Sequence, residues 1–196
     1  MRRDCTVGSG VGEVIPFGPT VLVLRVSLRD VEPEVWRRVV VRSDTALPKL
    51  ARILEQTMGW EGHHLHLFDV AGVLFGNPDE DADYLINEKA AKVRHVLPQI
   101  GSSLRWDYDF GDGWEHDVVT ETIESPVDGQ RYPICLDGAM ACPPEDCGGV
   151  PGYDHLRSVL ADPAHRDHRH LSEWAPTGFD ATAFDTTDVN RRLRGR

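Results

Sequence analysis

The stretch YDFGDGWEHDV, residues 108–118, constrains the fold more than any other part of the chain. Gly111 and the Asp112-Gly113 pair stand at its centre, and they favour a tight turn because glycine accepts a positive φ without steric cost. Residues 104–108 and 114–123, on either side, have the composition of strands. The sequence therefore predicts a β-hairpin, on whose second strand the side chains of alternate residues share a face: Trp114, His116 and Val118.

The N-terminal third of the chain predicts two strands and a helix. Residues 20–30 and 35–42 are rich in β-branched side chains and indicate strands in a hairpin-like arrangement. Thr45 is placed to cap a following helix, which has Pro48 in its first turn and apolar residues at helical spacing. Gly59 is expected to end that helix.

The middle of the chain predicts a second hairpin and little other regular structure. Residues 63–70 alternate polar and apolar side chains, which indicates a strand that can pair with residues 73–76 across an Ala-Gly turn. A short helix is expected over residues 96–100. Residues 132–153 are rich in Cys and Pro and are interpreted as a loop.

Helices are expected after that loop. One carries Tyr153 and Leu160, a second begins at the N-cap Asp162, and a third covers residues 187–193. The second is expected to have an apolar side made of Ala164, Leu171, Trp174 and Ala175.

Strands early and helices late, without a βαβ alternation, indicate an α+β fold. The expected architecture is a mixed or antiparallel sheet built from the N-terminal and central strands. One helix follows the first two strands, and the other helices cluster at the C-terminus. Residues 1–19 are Gly-rich and predict a flexible leader, so residues 20–196 are expected to form a single α+β domain.

The charge of the chain argues against nucleic acid as a partner. The formal net charge is −11, and residues 107–188 hold 18 acidic residues against 4 basic ones. Binding to a phosphate backbone needs clustered Lys and Arg, and the basic C-terminal stretch NRRLRGR is too short to form a DNA-binding domain. No apolar run approaches the roughly 20 residues that span a bilayer, and no export signal is evident, so a cytoplasmic protein without a membrane partner is expected.

Four motifs carry a resemblance to a known family. The motifs YDFGDGWEH, CLDGAMACPPEDCGG, the Gly152-Tyr153 pair and FDATAFDTTDVNRRL resemble the plasmid Ri ORF-three-like family over about residues 21–193. Members are sometimes labelled insertion-element passengers or TnpR-like proteins, so the resemblance implies a compact α+β protein of a mobile element. It supplies no catalytic residue. A serine recombinase also needs a nucleophilic Ser among arginines and a helix-turn-helix, and neither is found here.

Zinc is the one cofactor that the sequence suggests. Cys135, Cys142 and Cys147 could join His116 in a tetrahedral site, although the Cys-x-x-Cys knuckle of tight structural sites is missing. The alternatives are that these cysteines are small buried apolar residues or that they form a disulfide, which a cytosolic compartment disfavours.

The carboxylates around His116 form a second candidate site. With a nearby Asp, a partly buried His116 could act as a general base or hold a hard cation. Alternatively, Asp109 and Asp112 cap the turn and His116 is a core residue. Further along the chain, His64 and His66 share a face of a predicted strand, so chelation there is a further alternative to a solvated face.

The rigid segment CPPEDCGG is expected to pack against DFGDGWEH and to form an acidic, aromatic-walled pocket with it. The expected ligand-binding residues are Tyr108, Asp109, Asp112, Trp114, His116, Glu145, Asp146 and Tyr153. The favoured function is a non-enzymatic binding or accessory module for a peptide, a basic protein segment or a small cationic ligand. A metal-dependent hydrolase or nuclease is the second hypothesis, and a DNA resolvase or DNA-binding protein is the disfavoured third.

Overall fold

An eight-stranded mixed sheet organises residues 18–78 and 84–195, the part of the chain that the structure, a computed structural model, describes. The strand order is β5-β4-β3-β6-β7-β1-β2-β8, and neighbours are antiparallel except for β4 and β5. The strands are β1 (Val21–Leu28), β2 (Trp36–Arg42), β3 (His66–Val70), β4 (Val73–Gly76), β5 (Ile86–Asn87), β6 (Ser103–Tyr108), β7 (Trp114–Glu124) and β8 (Ile134–Ala139).

Helices lie mainly after the sheet in the sequence. Within the described residues they are α1 (Leu47–Met58), α2 (Val93–Val96), α3 (Gly149–Ala161), α4 (His168–Trp174) and α5 (Thr186–Arg194), with a 3₁₀ turn at Glu88–Ala90. The α+β prediction is confirmed, because one helix directly follows the first two strands and three helices cluster near the C-terminus. The predicted hairpin around residues 109–113 is also confirmed, since β6 and β7 pair antiparallel.

One face of the sheet holds the main core. Leu24 and Val26 of β1 are fully buried there, together with Leu50 and Leu54 of α1. The spacing of these leucines places them on the inner side of the helix. Each fully buried apolar side chain of this size stabilises the fold by about 1.5–3 kcal/mol relative to exposure.

The opposite face of the sheet carries ion pairs beside a small apolar cluster of Val21, Val23 and Val40. Arg38 of β2 pairs with Glu121 of β7, and Arg29 pairs with Glu115 and Asp117. These side chains are partly exposed, so each pair adds at most about 1 kcal/mol. A one-residue slip of a strand would move its apolar side chains from the core face to the face with the ion pairs, so the register of the sheet is well specified.

The helix α1 begins one residue later than predicted. Its N-cap is Ala46, whose methyl side chain cannot accept a hydrogen bond, and the carbonyl of Thr45 accepts the N–H of Val93 at 2.9 Å. The cap assigned to Thr45 was therefore wrong. The stop at Gly59 is confirmed: the residue has a φ of 108°, and its N–H donates to the carbonyl of Glu55.

Three central predictions need correction. The strand predicted from residue 63 begins only at His66, because the chain turns at Gly62 with a φ of 75°. The helix expected over residues 96–100 is instead α2, and it ends before Pro98, which lacks an N–H donor. Part of the expected Cys-rich loop is β8, which pairs with β2.

The C-terminal helices are shorter or shifted. Residues near Asp162 form a turn in which its carboxylate accepts the N–H of Ala164, and α4 starts at His168. Its expected apolar side is only partly inward, because Trp174 remains 44% exposed. The last helix begins one residue earlier than predicted, where Asp185 caps it.

The predicted leader falls outside the described residues except for residues 18 and 19, and residues 79–83 also fall outside them. Within the described ranges, every helix is too short or too polar to cross a membrane.

The side chain of Asn190 joins α5 to the edge strand β8. Its amide accepts the N–H of Cys135 and donates to the carbonyl of the same residue, both at 2.8 Å. This pair of bonds satisfies two main-chain groups that the end of the sheet would otherwise leave unpaired.

We expect the substitution Asn190→Ala to lower the free energy of unfolding by about 1–3 kcal/mol, since it leaves partly buried main-chain groups without partners. Arg191→Ala, at the neighbouring exposed position, is the control and should change stability by less than about 0.5 kcal/mol. Denaturant unfolding of both variants measures the difference. Equal stability would mean that the amide bridge contributes nothing.

Candidate functional site

The turn between β6 and β7 is closed by Asp109. This residue has a φ of 55°, its Oδ1 accepts the N–H groups of Gly111 at 3.0 Å and Asp112 at 3.4 Å, and its carbonyl accepts the N–H of Gly113. Asp and Asn tolerate this left-handed conformation better than most residues. The turn-capping role that the sequence allowed for Asp109 is therefore present, and its side chain is buried in the process.

The Cys- and Pro-rich loop packs directly on this turn. The N–H of Gly148 donates to Oδ2 of Asp112 at 3.1 Å. The hydroxyl of Tyr108 and the N–H of Glu61 both donate to Oε1 of Glu145, at 2.9 and 3.0 Å. The structure thus brings the two sequence motifs into contact, together with a third segment that carries Glu61.

The three aromatic residues expected as pocket walls are core residues. Tyr108, Trp114 and Tyr153 have no exposed surface. Tyr108 stacks on Trp60 with ring centroids 4.6 Å apart, and the hydroxyl of Tyr153 donates to the carbonyl of Ala141. Burial and the adjacent Glu145 carboxylate raise the pKa of Tyr108. These rings lie in the core beneath the site and have no surface with which to line a pocket. The prediction that they form pocket walls is therefore corrected.

His64 stands among the carboxylates of both motifs. Its Nδ1 lies 3.4 Å from Oδ1 of Asp109, and its Nε2 lies 3.6 Å from Oε2 of Glu145 and 3.5 Å from Oδ1 of Asp146. One donor atom from each of His64, Asp109 and Glu145 lies within 4.8 Å of the others. Imidazole and carboxylate are also the ligand types that zinc accepts. We call these three residues the His64 cluster.

A second histidine lies next to this cluster. Nε2 of His66 is 2.8 Å from Oε2 of Glu88, and its Nδ1 is 4.0 Å from Oε1 of Glu55. Burial raises the pKa of Glu55, and nearby acidic groups add to the effect. A Cβ atom at Gly62 would lie 2.5 Å from Oε2 of Glu55, so glycine makes room for this carboxylate.

His116, by contrast, is sealed in the core. It is fully buried, its Nδ1 lies 3.1 Å from the carbonyl of Trp106, and its ring packs edge-on against Trp60. Burial lowers the pKa of His116 to about 3, which keeps the ring neutral. The structure therefore gives His116 the core role that the sequence left as an alternative to catalysis.

The zinc set predicted from the cysteines is not assembled among the described residues. Cys135 faces the core with its Sγ 3.4 Å from the carbonyl of Asp137, and within the described ranges the three cysteines and His116 do not form a group of ligand atoms close enough to share a metal. Burial raises the pKa of the Cys142 thiol, and raises that of Cys147 to about 12. Protonated, buried thiols behave as small apolar groups.

A cleft of about 680 Å³ opens beside the His64 cluster and shares Glu145 with it. Of the eight predicted ligand-binding residues, Glu145 alone belongs to its described lining. Its aromatic walls are Trp60, Trp174, Phe179 and Phe184. Its charged residues are Glu61, Glu145, Asp185, Asp188, Arg37 and Arg192.

Several of these residues carry no local signal in the sequence that would identify them. Trp60 follows the helix stop at Gly59, and nothing local distinguishes it from any other core aromatic. The sequence predicts His64 in a strand, but β3 begins only at His66, and the side chain of His64 lies beside Asp109. Trp174 was expected to be an inward residue, and its 44% exposure depends on how the short helix α4 is placed.

Comparisons with known proteins find a matching family, a similar sequence and a similar solved structure. The model of a family described as plasmid pRiA4b ORF-3-like protein matches residues 20–188. The uncharacterised protein y4hQ of Sinorhizobium fredii is 38% identical over 177 residues, which cover 89% of this chain and 91% of that protein. The crystal structure of MM3350, a protein of unknown function from Methanosarcina mazei Go1, matches with a TM-score of 0.81 and 34% identity, covering 87% of this chain and 98% of that one.

The burial of His116 predicts a pH dependence of stability. Its pKa is about 3 when folded, against about 6.5 when unfolded, so below pH 6.5 the unfolded chain takes up a proton that the folded chain does not. The stability that neutral His116 contributes is present above pH 6.5 and is lost as the pH falls toward 3.

In His116→Gln, a neutral amide replaces the titrating ring and can still donate to the carbonyl of Trp106. Between pH 7 and pH 5, we expect the wild type to lose about 2 kcal/mol more unfolding free energy than this variant. Denaturant unfolding at several pH values measures this, with His63→Gln, at an exposed position, as the control. Parallel curves for the wild type and His116→Gln would contradict the prediction.

Proposed function

This chain belongs to the plasmid pRiA4b ORF-3-like family, and we propose that it acts as a binding module for a short peptide segment. The preferred segment carries an aromatic or large apolar side chain next to a Lys or Arg. One observation carries the proposal: the cleft of about 680 Å³ combines aromatic walls with carboxylates at its edge. Clefts of this size and lining are typical of ligand sites.

The walls supply apolar contact area for such a segment. Trp174 is 44% exposed and lies on a seven-residue helix that has no buried residue of its own. Exposed Trp side chains are enriched among the residues that dominate binding energy at interfaces. Trp60 is fixed from behind by its stacking on Tyr108, so this wall is rigid and binding there orders little of the protein.

The arginines of the cleft are already engaged by the protein. Arg37 is buried, donates to the carbonyls of Trp36, Thr57 and Ala139, and stacks on the ring of Phe184. Arg192 donates to the carbonyl of Gln56. These contacts hold the guanidinium groups in place and give them a structural role.

Four carboxylates line the cleft, and two of them, those of Glu61 and Glu145, can attract a cationic group of the peptide. The other two make contacts within α5. Asp185 caps α5, and Asp188 pairs with Arg191 at 2.8 Å. The side chain of Glu61 is 70% exposed, and the carboxylate of Glu145, which also lines the cleft, adds a second negative charge there. A Lys or Arg side chain of a peptide complements this pair, in keeping with the net charge of −11.

A metal-dependent hydrolase is the second candidate, and the His64 cluster is the observation that favours it. His116, which the sequence suggested for this role, has no exposed surface with which to reach a substrate. A recombinase is not supported by the acidic surface charge. A place on a mobile element, the TnpR-like label and a cytoplasmic location stay predictions.

The proposal is tested by titrating the protein with the capped tetrapeptides KLYK and ELYE in a calorimeter. We expect KLYK to bind with a Kd of about 100 μM and ELYE to bind at least tenfold more weakly, because its charges face Glu61 and Glu145. The binding of KLYK should weaken in 0.5 M NaCl, since the cleft edge is open to solvent.

The variant Trp174→Ala should weaken KLYK binding by about tenfold, or 1.4 kcal/mol, because it removes one wall. Tyr84→Ala is the matched control, since Tyr84 is 71% exposed and does not line the cleft. Equal affinity for the two peptides, or equal loss in the two variants, would exclude the cleft as the binding site.

A further inference from the structure

We propose that His64, Asp109 and Glu145 bind one divalent transition-metal ion, with Zn²⁺ preferred. An imidazole with two carboxylates is a ligand set that suits zinc, and harder ions such as Mg²⁺ favour sites made of oxygen alone. The inference stands on the geometry of these three residues. It does not depend on peptide binding in the cleft, although Glu145 belongs to both.

The three ligands come from segments that are far apart in the sequence. His64 lies between the helix α1 and the strand β3, Asp109 opens the β6-β7 turn, and Glu145 lies in the loop before α3. One donor atom of each lies within 4.8 Å of the others. Two ligands bound at about 2.1 Å in a tetrahedron lie about 3.4 Å apart. Asp109 approaches Nδ1 of His64 and Glu145 approaches Nε2, so the ring of His64 has to rotate on binding to present one nitrogen beside both carboxylates.

Contacts behind the ligands leave one oxygen of Glu145 free for a metal. Oε1 of Glu145 accepts hydrogen bonds from the hydroxyl of Tyr108 and the N–H of Glu61. Oε2 is buried, faces His64, and has no hydrogen-bond partner among the described residues. A carboxylate fixed through one oxygen and free at the other is how proteins orient a metal ligand from its surroundings.

Asp109 is also held in place, but through the oxygen that faces His64: Oδ1 lies 3.4 Å from Nδ1 of the ring. Its side chain is 8% exposed, and Oδ1 accepts the main-chain N–H groups of Gly111 and Asp112. Among the described residues, no hydrogen bond reaches Oδ2. The tight turn therefore keeps this carboxylate beside the ring of His64 without using its second oxygen.

The local charge also favours a cation. Within residues 18–78 and 84–195, no Lys or Arg side chain forms an ion pair with Asp109, Glu145 or Asp146. Even a protonated His64 offers one positive charge to three carboxylates. Burying carboxylates without enough counter-charge is costly, and a divalent ion removes that cost.

Solvent has access to the site from one side. The side chain of His64 is 27% exposed, and that of Asp146, 3.5 Å from Nε2, is 77% exposed. Three protein ligands with one open position are the arrangement of zinc sites that bind a water or a substrate. The neighbouring His66 is already closed on Glu88 at 2.8 Å, so it is not included.

The test uses the full, untagged chain, dialysed against a chelator and titrated with ZnCl₂ in a calorimeter. We expect one Zn²⁺ per chain with a Kd of 1 μM or tighter, about −8 kcal/mol, and at least tenfold weaker binding of Mg²⁺. No binding, or several weak equivalents, would overturn the proposal. So would equal affinity for Mg²⁺, because it would indicate attraction by charge alone.

His64→Ala should weaken Zn²⁺ binding by at least a hundredfold, and Glu145→Gln should do the same. The matched control is His63→Ala, which removes the adjacent histidine, 69% exposed and outside the cluster, and should bind like the wild type. Tyr108→Phe keeps all three ligands but removes one of the two hydrogen bonds that hold Oε1 of Glu145, and it should weaken binding about tenfold. Circular dichroism confirms folding, and equal affinities for His63→Ala and His64→Ala would assign the ion to another place.

Discussion

The site depends on the packing of one indole ring, that of Trp60. Its Nε1–H donates to the carbonyl of Pro143 at 3.0 Å, its face stacks on Tyr108, and its ring meets the edge of His116. These contacts tie the loop after α1 to the β6-β7 hairpin and to the Cys- and Pro-rich loop. A large aromatic ring buries much apolar surface, and the hydrogen bond satisfies its one polar group. Three segments are thereby held in a fixed arrangement.

The polar chemistry follows from this arrangement. With the loops fixed, Tyr108 and the N–H of Glu61 reach Oε1 of Glu145. His64 then lies between Glu145 and Asp109. Trp60 itself forms part of the wall of the cleft. The polar cluster and the aromatic cleft thus share Glu145. The proposed peptide site and the proposed zinc site are therefore adjacent, and Trp174→Ala and His64→Ala test them separately.

The sequence predicted the elements whose causes are local. The hairpin at Asp112-Gly113 and the helix stop at Gly59 both follow from the freedom of glycine, and the α+β class follows from the order of strands and helices. The strand β8 was missed because its pairing with β2 is a long-range contact that no local pattern encodes. The position of His64 was missed for the same reason: it depends on where a turn ends relative to a distant loop.

The two histidines show why residue type alone did not identify the site. His116 lies in the more conspicuous motif, yet it is enclosed by Trp60 and Trp106, has one carbonyl as a partner and has a pKa lowered to about 3. His64 lies in an ordinary polar run but meets two carboxylates and solvent. A histidine can take part in ligand binding when solvent reaches its ring and when the carboxylates beside it lack another cationic partner. Both properties arise from tertiary packing, so His64 could be recognised only once the loops around Trp60 were in place.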